Sequence, residues 1–163
     1  HPALKTSSRN RGEDSTVTDA AQMGITYVQF EGDIGIVCSG AGLAMSTVDL
    51  VTMYGGDPAN FLDTGGRITR GHVKTCLDII SRNPKVNRIL VNMYGGINPI
   101  VEGADGIVDF LRSNNTRIPV VVKARGNMEN DAWRVLECFG IETVRDIKTE
   151  VVAERIVNCT RSR

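Results

Sequence analysis

From about residue 25 the apolar positions of this chain alternate between short continuous runs and spaced, helix-like stripes. "ITYVQF" (25–30) and "IGIVCS" (34–39) flank Glu31-Gly32-Asp33 and read as two short strands joined by a turn. In "GAGLAMSTVDLVTMY" (40–54), Leu43, Thr47, Leu50, Val51 and Tyr54 share one helical face, and Gly55 is the expected stop. "ANFLD" (59–63) is a short strand closing on Thr64-Gly65-Gly66. Thr69 is placed to cap a helix whose Val73, Cys76, Leu77 and Ile80 recur at helical spacing, with Pro84 just beyond. "RILVNMY" (88–94) is almost continuously apolar, the pattern of a strand covered on both faces. Ala104, Ile107, Val108 and Leu111 mark the next helix, and "IPVVVKA" (118–124) repeats the buried-strand signature. Asn127 stands where it would cap a helix carrying Trp133, Leu136 and Phe139, ended by Gly140. "IETV" (141–144) and an amphipathic helix over 148–158 complete the pattern.

Strands and helices that alternate through short connections predict an α/β fold. The expected form is a doubly wound, mainly parallel, flavodoxin-like sheet with five main strands and helices on both faces. The first dozen or so residues, HPALKTSSRNRGED, are polar, without a period and basic through Lys5, Arg9 and Arg11, and residues 1–23 are expected to form a solvated tail or linker. Composition agrees with one globular unit: 163 residues, 41% apolar and 23% charged. Nineteen basic residues balance nineteen acidic ones, so no global field favours nucleic acid or an anionic membrane. No apolar run approaches a membrane span, and the opening residues lack a secretory signal pattern. Cys38, Cys76, Cys138 and Cys159 form no paired motif and sit among apolar residues. They are expected to be buried reduced thiols of a cytoplasmic-type compartment, with no metal site.

In such sheets ligands bind beyond the carboxyl ends of the strands, where the winding direction switches. Two glycine-rich turns fall at such ends: Ser39-Gly40-Ala41-Gly42 and Gly95-Gly96. Flavodoxin-like order makes their strands neighbours, so the turns flank one crevice. Free N–H groups and the dipole at each following helix start suit a carboxylate or phosphate, and glycine lets a ligand approach the main chain. Packing alone also produces such turns, and both readings stand at this level. Met45 occupies the third-glycine position of a dinucleotide fingerprint, and no Gly-Lys-Ser/Thr occurs. His72 lies just off its helix's apolar face and is expected to meet solvent; no partners complete a catalytic triad around it. Asp63 is expected to accept hydrogen bonds from its own loop. Catalytic residues are therefore expected to be none, and the chain reads as a binding half-site. A flavin carrier remains a further reading, with the first turn around a phosphate and Tyr94 against a ring.

"GAGLAMSTVDLVTMYGGDPANFLDTGG" (40–66), "LVNMYGGI" (90–97) and "VVVKARGN" (120–127) resemble the carboxy-terminal, flavodoxin-like ligase domain of the succinyl-CoA synthetase (succinate–CoA ligase) β subunit. The similarity runs from about residue 24 to about 155, within a domain taken as 24–163. It implies an acid–thiol ligase of the tricarboxylic acid cycle, cytoplasmic or, in a eukaryote, in the mitochondrial matrix. It also implies a preceding nucleotide-binding ATP-grasp domain, with "HPAL" as its trailing edge, and an α-subunit partner that carries CoA and a phosphorylated histidine. ATP or GTP, Mg and CoA serve the full enzyme, and this domain by itself binds no cofactor and is expected to be inactive. By position, the family's carboxylate-binding asparagine falls on Ser39, and its backbone-binding loop falls on Gly96, Ile97 and Asn98.

Two departures from the family pattern follow. Serine replaces the asparagine, and Pro99-Ile100-Val101 replaces the Arg-Cys-acid usual after the loop. Asn98 at N-cap and Pro99 at the first helical position would give a self-capped helix, and Glu102 in its first turn repels an incoming phosphate. The acid is left open among succinate, malate, citrate and a monocarboxylate, and a non-catalytic binding module on the same fold is the alternative.

Overall fold

The computed structural model describes residues 11–159. Its elements are α1 (Arg11–Gln22), β1 (Thr26–Gln29), β2 (Ile34–Cys38), α2 (Ala41–Met53), β3 (Asn60–Asp63), α3 (Arg70–Ser81), β4 (Arg88–Gly95), α4 (Ile100–Asn114), β5 (Val120–Gly126), α5 (Glu129–Cys138), β6 (Glu142–Val144) and α6 (Thr149–Asn158). The sheet order is β1-β3-β2-β4-β5-β6. Five strands are parallel, as expected of a flavodoxin-like sheet, and a sixth, β1, joins the β3 edge antiparallel. The two strands that flank Glu31-Gly32-Asp33 are therefore not a hairpin, because β3 lies between them.

Burial on both faces explains the continuous apolar runs. Every residue of β2 is buried, and β4 is buried from Ile89 to Met93. Side chains alternate between two cores. Val37, Val91, Val122 and Ala124 pack with α3, α4 and α5, while Ile36, Leu90 and Val121 pack with α2 and α6. The β2/β3 seam has one residue pair in register, Cys38 with Asp63. Main-chain bonds at Ile34 and Cys38 hold its two ends, and the Asn60 side chain bridges the middle, donating to Ile36 O (2.7 Å) and accepting from Ile36 N (3.2 Å).

The expected polar tail is corrected over 11–22, where the chain forms α1. Thr16 and Ala20 are its buried residues, and Asp19 pairs with Arg82 at 2.9 Å. Two small buried side chains a turn apart are too weak a stripe to read from polarity alone. Residues 1–10 lie outside the described residues. Among the described residues no helix is long and apolar enough to cross a membrane.

Thr69 caps α3 as its position implied, accepting from the His72 amide at 3.3 Å. Two other caps are corrected. The N-cap of α4 is Pro99 with no side-chain cap, so Asn98 lies outside the helix and Ile100 is its first residue. The N-cap of α5 is Met128 in the left-handed region (φ 62°), and Asn127 is engaged elsewhere. The cysteines divide: Cys38 and Cys76 are buried, Cys159 is half-buried and Cys138 is exposed, contrary to a uniform buried reading. Helix α5 presents Trp133 and Leu136 inward and leaves Cys138 on its outer side.

Candidate functional site

β2 and β4 pair in register from Ile34–Arg88 to Cys38–Asn92, so the two glycine-rich turns do flank one crevice. α2 leaves the end of β2 over one face of the sheet, and α3 returns over the other before β4. This is the switch point at which a parallel sheet opens a cleft.

Ser39 forms the floor of that cleft. Its hydroxyl accepts from the Tyr94 amide at 2.8 Å and donates to Tyr94 O at 3.3 Å, clasping the ends of β2 and β4 together. The serine expected to contact substrate is thus engaged with the neighbouring main chain. Gly96, Ile97 and Asn98 rise beside it on an exposed turn, with Ile97 93% exposed.

The glycines divide by cause. A Cβ on Gly95 would meet Asn98 O at 2.7 Å, so the tight turn requires glycine there. Gly40, the N-cap of α2, has φ 144°, which also favours glycine. Gly42 and Gly96 have neither a positive φ nor a crowding neighbour; the one atom near a Cβ on Gly96 is the far end of Tyr94 at 3.8 Å. Folding does not demand glycine at these two positions, yet both leave bare backbone on the rim of the cleft. No side chain caps α2, so its first amides stay open. α4 differs: Pro99 brings no N–H, and the Ile100 amide donates to Asn127 O at 2.9 Å.

Beneath the rim lies a buried polar row that the apolar pattern concealed. Asn92 donates through Nδ2 to Thr47 Oγ1 (3.1 Å) and Thr149 Oγ1 (3.4 Å), while its Oδ1 has no partner among the described residues. Lys123 is opposite Asn92 in register and only 5% exposed. Burial, then the nearby Arg125, lowers its ammonium pKa. Cys38, next in the row, is pushed up to about 12 by burial and so remains a neutral thiol.

Asp63 Oδ1 accepts from the Gly65 amide at 3.0 Å, a loop carboxylate as expected. His72 is corrected: it is half-buried, with Nε2 at 2.7 Å from Thr64 O. The chain bends over it at Gly65 and Gly66, both at positive φ, which sequence spacing did not reveal. Among the described residues no cluster of three or more His, Cys, Asp or Glu is arranged to hold a metal ion.

Around the cleft the strand-end loops expose Met45, Tyr94, Ile97, Met128 and Ile147. Five large apolar side chains at four strand-to-helix junctions give this end of the molecule a face suited to another protein surface.

Residues 37–157 match the family described as CoA-ligase. The succinate–CoA ligase [ADP-forming] subunit beta of Ignicoccus hospitalis is 45% identical over 141 residues, covering 86% of this chain and 37% of that protein. The protein of the same name from Roseiflexus sp. is 41% identical over 136 residues, covering 83% of this chain and 36% of its own length. The chain therefore spans well under half the length of these relatives. Among solved structures, a dinucleotide-forming acetyl-coenzyme A synthetase of Ca. Korarchaeum cryptofilum superposes with TM-score 0.67. It does so at 16% identity, over 92% of this chain and 37% of that one, a likeness of fold. The matched span runs from the end of β2 into the last turn of α6, including both glycine-rich turns that flank the crevice, and the chain belongs to the CoA-ligase family.

Proposed function

We propose that this domain serves a nucleotide-dependent acid–CoA ligase, holding the carboxylate substrate and a partner subunit's phosphohistidine at the β2/β4 crevice. In this reading ATP or GTP, succinate and CoA give succinyl-CoA, nucleoside diphosphate and phosphate. An ATP-grasp domain on the same chain uses the nucleotide and Mg, and an α subunit brings CoA and the histidine. The domain supplies backbone donors and no catalytic side chain of its own. Four free cysteines fit a reducing compartment, the cytoplasm or a mitochondrial matrix.

The observation that carries the reading is the pair of glycines, Gly42 and Gly96, that the fold does not require and that leave the cleft rim as bare main chain. Small anions bind such amides, the more so beside an uncapped helix start. The exposed apolar rim supports the α-subunit partner, and the similarity to succinate–CoA ligase β subunits supports the reaction.

The test is an amide-resolved NMR titration of the chain with succinate, malate, citrate and phosphate. Saturable shifts at Ser39, Gly96, Ile97 and Asn98 are expected, and the acid that binds best identifies the substrate class. Silence at all four residues with every anion rejects the half-site. A second reading, a binding module without ligase function, is favoured by one feature: α4 lacks a Pro99 donor and has its Ile100 amide already engaged. Retained ligase activity of the full protein paired with an α subunit would exclude it.

A further inference from the structure

We propose that Asn127 is a positioning residue that turns two backbone donors, the Gly96 and Asn98 N–H groups, into the β2/β4 crevice. Asn127 sits just beyond β5 and makes three hydrogen bonds to the turn that follows β4. Its amide donates to Gly95 O at 2.7 Å, its Nδ2 donates to Ile97 O at 3.1 Å, and its carbonyl accepts from the Ile100 amide at 2.9 Å. One residue thereby holds the start, middle and end of an otherwise exposed loop.

The direction of the remaining donors follows from peptide geometry. In a trans peptide the C=O of one residue and the N–H of the next point in opposite directions, and the described residues contain no cis bond. With Gly95 O directed at the β5 side, the Gly96 N–H points to the other side of β4, where β2 and Ser39 lie. With Ile97 O held by the Asn127 side chain, the Asn98 N–H also points away from β5. Neither amide has a hydrogen-bond partner among the described residues. The Tyr94 N–H and C=O, which face the same side two residues before Gly96, are both taken by Ser39. On the β4 side of the cleft, the first free donors above the floor are therefore those that Asn127 orients.

The neighbouring residues fix Asn127 in turn. Gly126 (φ 120°) lies so close to Gly95 that any Cβ would strike the Gly95 carbonyl. Its amide donates to Glu129 Oε2 at 2.9 Å, and the same carboxylate oxygen pairs with Arg125 at 2.9 Å. This short, crowded junction directly precedes Asn127, whose side chain reaches the Ile97 carbonyl. The chemistry it serves is an anionic oxygen, carboxylate or phosphoryl, and that part rests on the function proposed above.

Two variants and two readouts test it. Asn127→Ala removes the side-chain donor, and Asn127→Asp sets carboxylate oxygens against Ile97 O; both keep the two main-chain bonds. Residual dipolar couplings of the unliganded chain report N–H directions without any ligand. The Asn98 coupling should depart from its wild-type value in both variants, while Gly96, whose peptide is held by the main chain, and the sheet residues keep theirs. An unchanged Asn98 coupling in both variants overturns the proposal. Titration with succinate and with inorganic phosphate is the second readout. Where the wild type responds, the variants should bind succinate about tenfold more weakly, and binding within about twofold of wild type overturns the positioning role. A silent wild type whose couplings behave as expected would reject the anion-site reading and leave the orienting role of Asn127 standing.

Discussion

Asn60 shows how one side chain can take the place of a strand's main chain. It gives Ile36 both a donor and an acceptor where β2 and β3 have drawn apart, and it is itself buried. Asn60→Ala leaves two buried main-chain groups unmatched and should lower stability by about 2–4 kcal/mol, read from urea unfolding. A loss under about 0.5 kcal/mol would mean that water replaces the amide. The buried thiols make a second prediction. Burial pushes Cys38 and Cys76 up to about 12, so the folded chain keeps protons that the unfolded chain releases near the ordinary thiol pKa of about 8.5. Their contribution is whole below that value and is lost as pH rises toward 12, so stability should fall across this window. Tyr27, also raised to about 12 by burial, adds to the fall above its ordinary value of about 10. Lys123 acts with the opposite sign, since its lowered pKa favours the folded state as pH rises. Urea midpoints against pH for Cys38→Ala and Cys76→Ala should each give a shallower alkaline decline than wild type; an unaltered slope would remove the thiols from the account.

At the level of elements, the three helices that bound the cleft start in different ways, and the differences have energetic consequences. α3 has a working cap in Thr69, so Thr69→Ala should cost about 1 kcal/mol. α4 has none, so Asn98→Ala should change stability by less than about 0.5 kcal/mol although Asn98 immediately precedes the helix's proline. Denaturation of the two variants side by side tests the corrected cap, and a loss at Asn98 matching that at Thr69 would restore Asn98 as N-cap. α2 starts uncapped on Gly40, with a second glycine in its first turn, an arrangement less stable than Ser or Asp followed by Ala. That cost falls on the cleft and nowhere else in α2, which otherwise packs Ala44, Thr47 and Val51 inward.

Taken whole, the molecule is uneven in its surface chemistry. Its helical flanks carry exposed ion pairs such as Arg70–Asp109 and Arg155–Glu142, each of small net worth in water. The strand-end face instead exposes Met45, Tyr94, Ile97, Met128 and Ile147 around the crevice. If that face receives an α subunit, Ile97→Lys with Ile147→Lys should weaken association at least about tenfold while leaving the unfolding midpoint unchanged. Sedimentation of the chain with a succinate–CoA ligase α subunit reads the effect. Equal association of wild type and double variant would place the partner on another face.

The apolar pattern by itself determined the run of elements from β1 to α6, because strands covered on both faces must be apolar throughout and covered helices must carry a stripe. It narrowed the winding of the parallel strands as well: strands joined by helices fall into few topologies, and flavodoxin-like order makes "IGIVCS" and "RILVNMY" neighbours. The antiparallel place of β1 beside β3 was not legible. It located the two turns, since glycine next to a strand end is visible as a letter. Tertiary structure alone decided what those letters do. That Gly95 answers to crowding and Gly96 does not depends on how the turn folds back on itself at Asn98. That Ser39 clasps Tyr94, and that Asn127 grips the facing loop in place of capping α5, depend on chain segments 55 and 30 residues apart. The same holds for α1, whose helix rests on β1 and α3 more than on its own stripe, and for the buried row of Cys38, Asn92 and Lys123. Local pattern carries the free energy of burial summed over a face. The direction of a single hydrogen bond is set by whichever residue the fold brings opposite it.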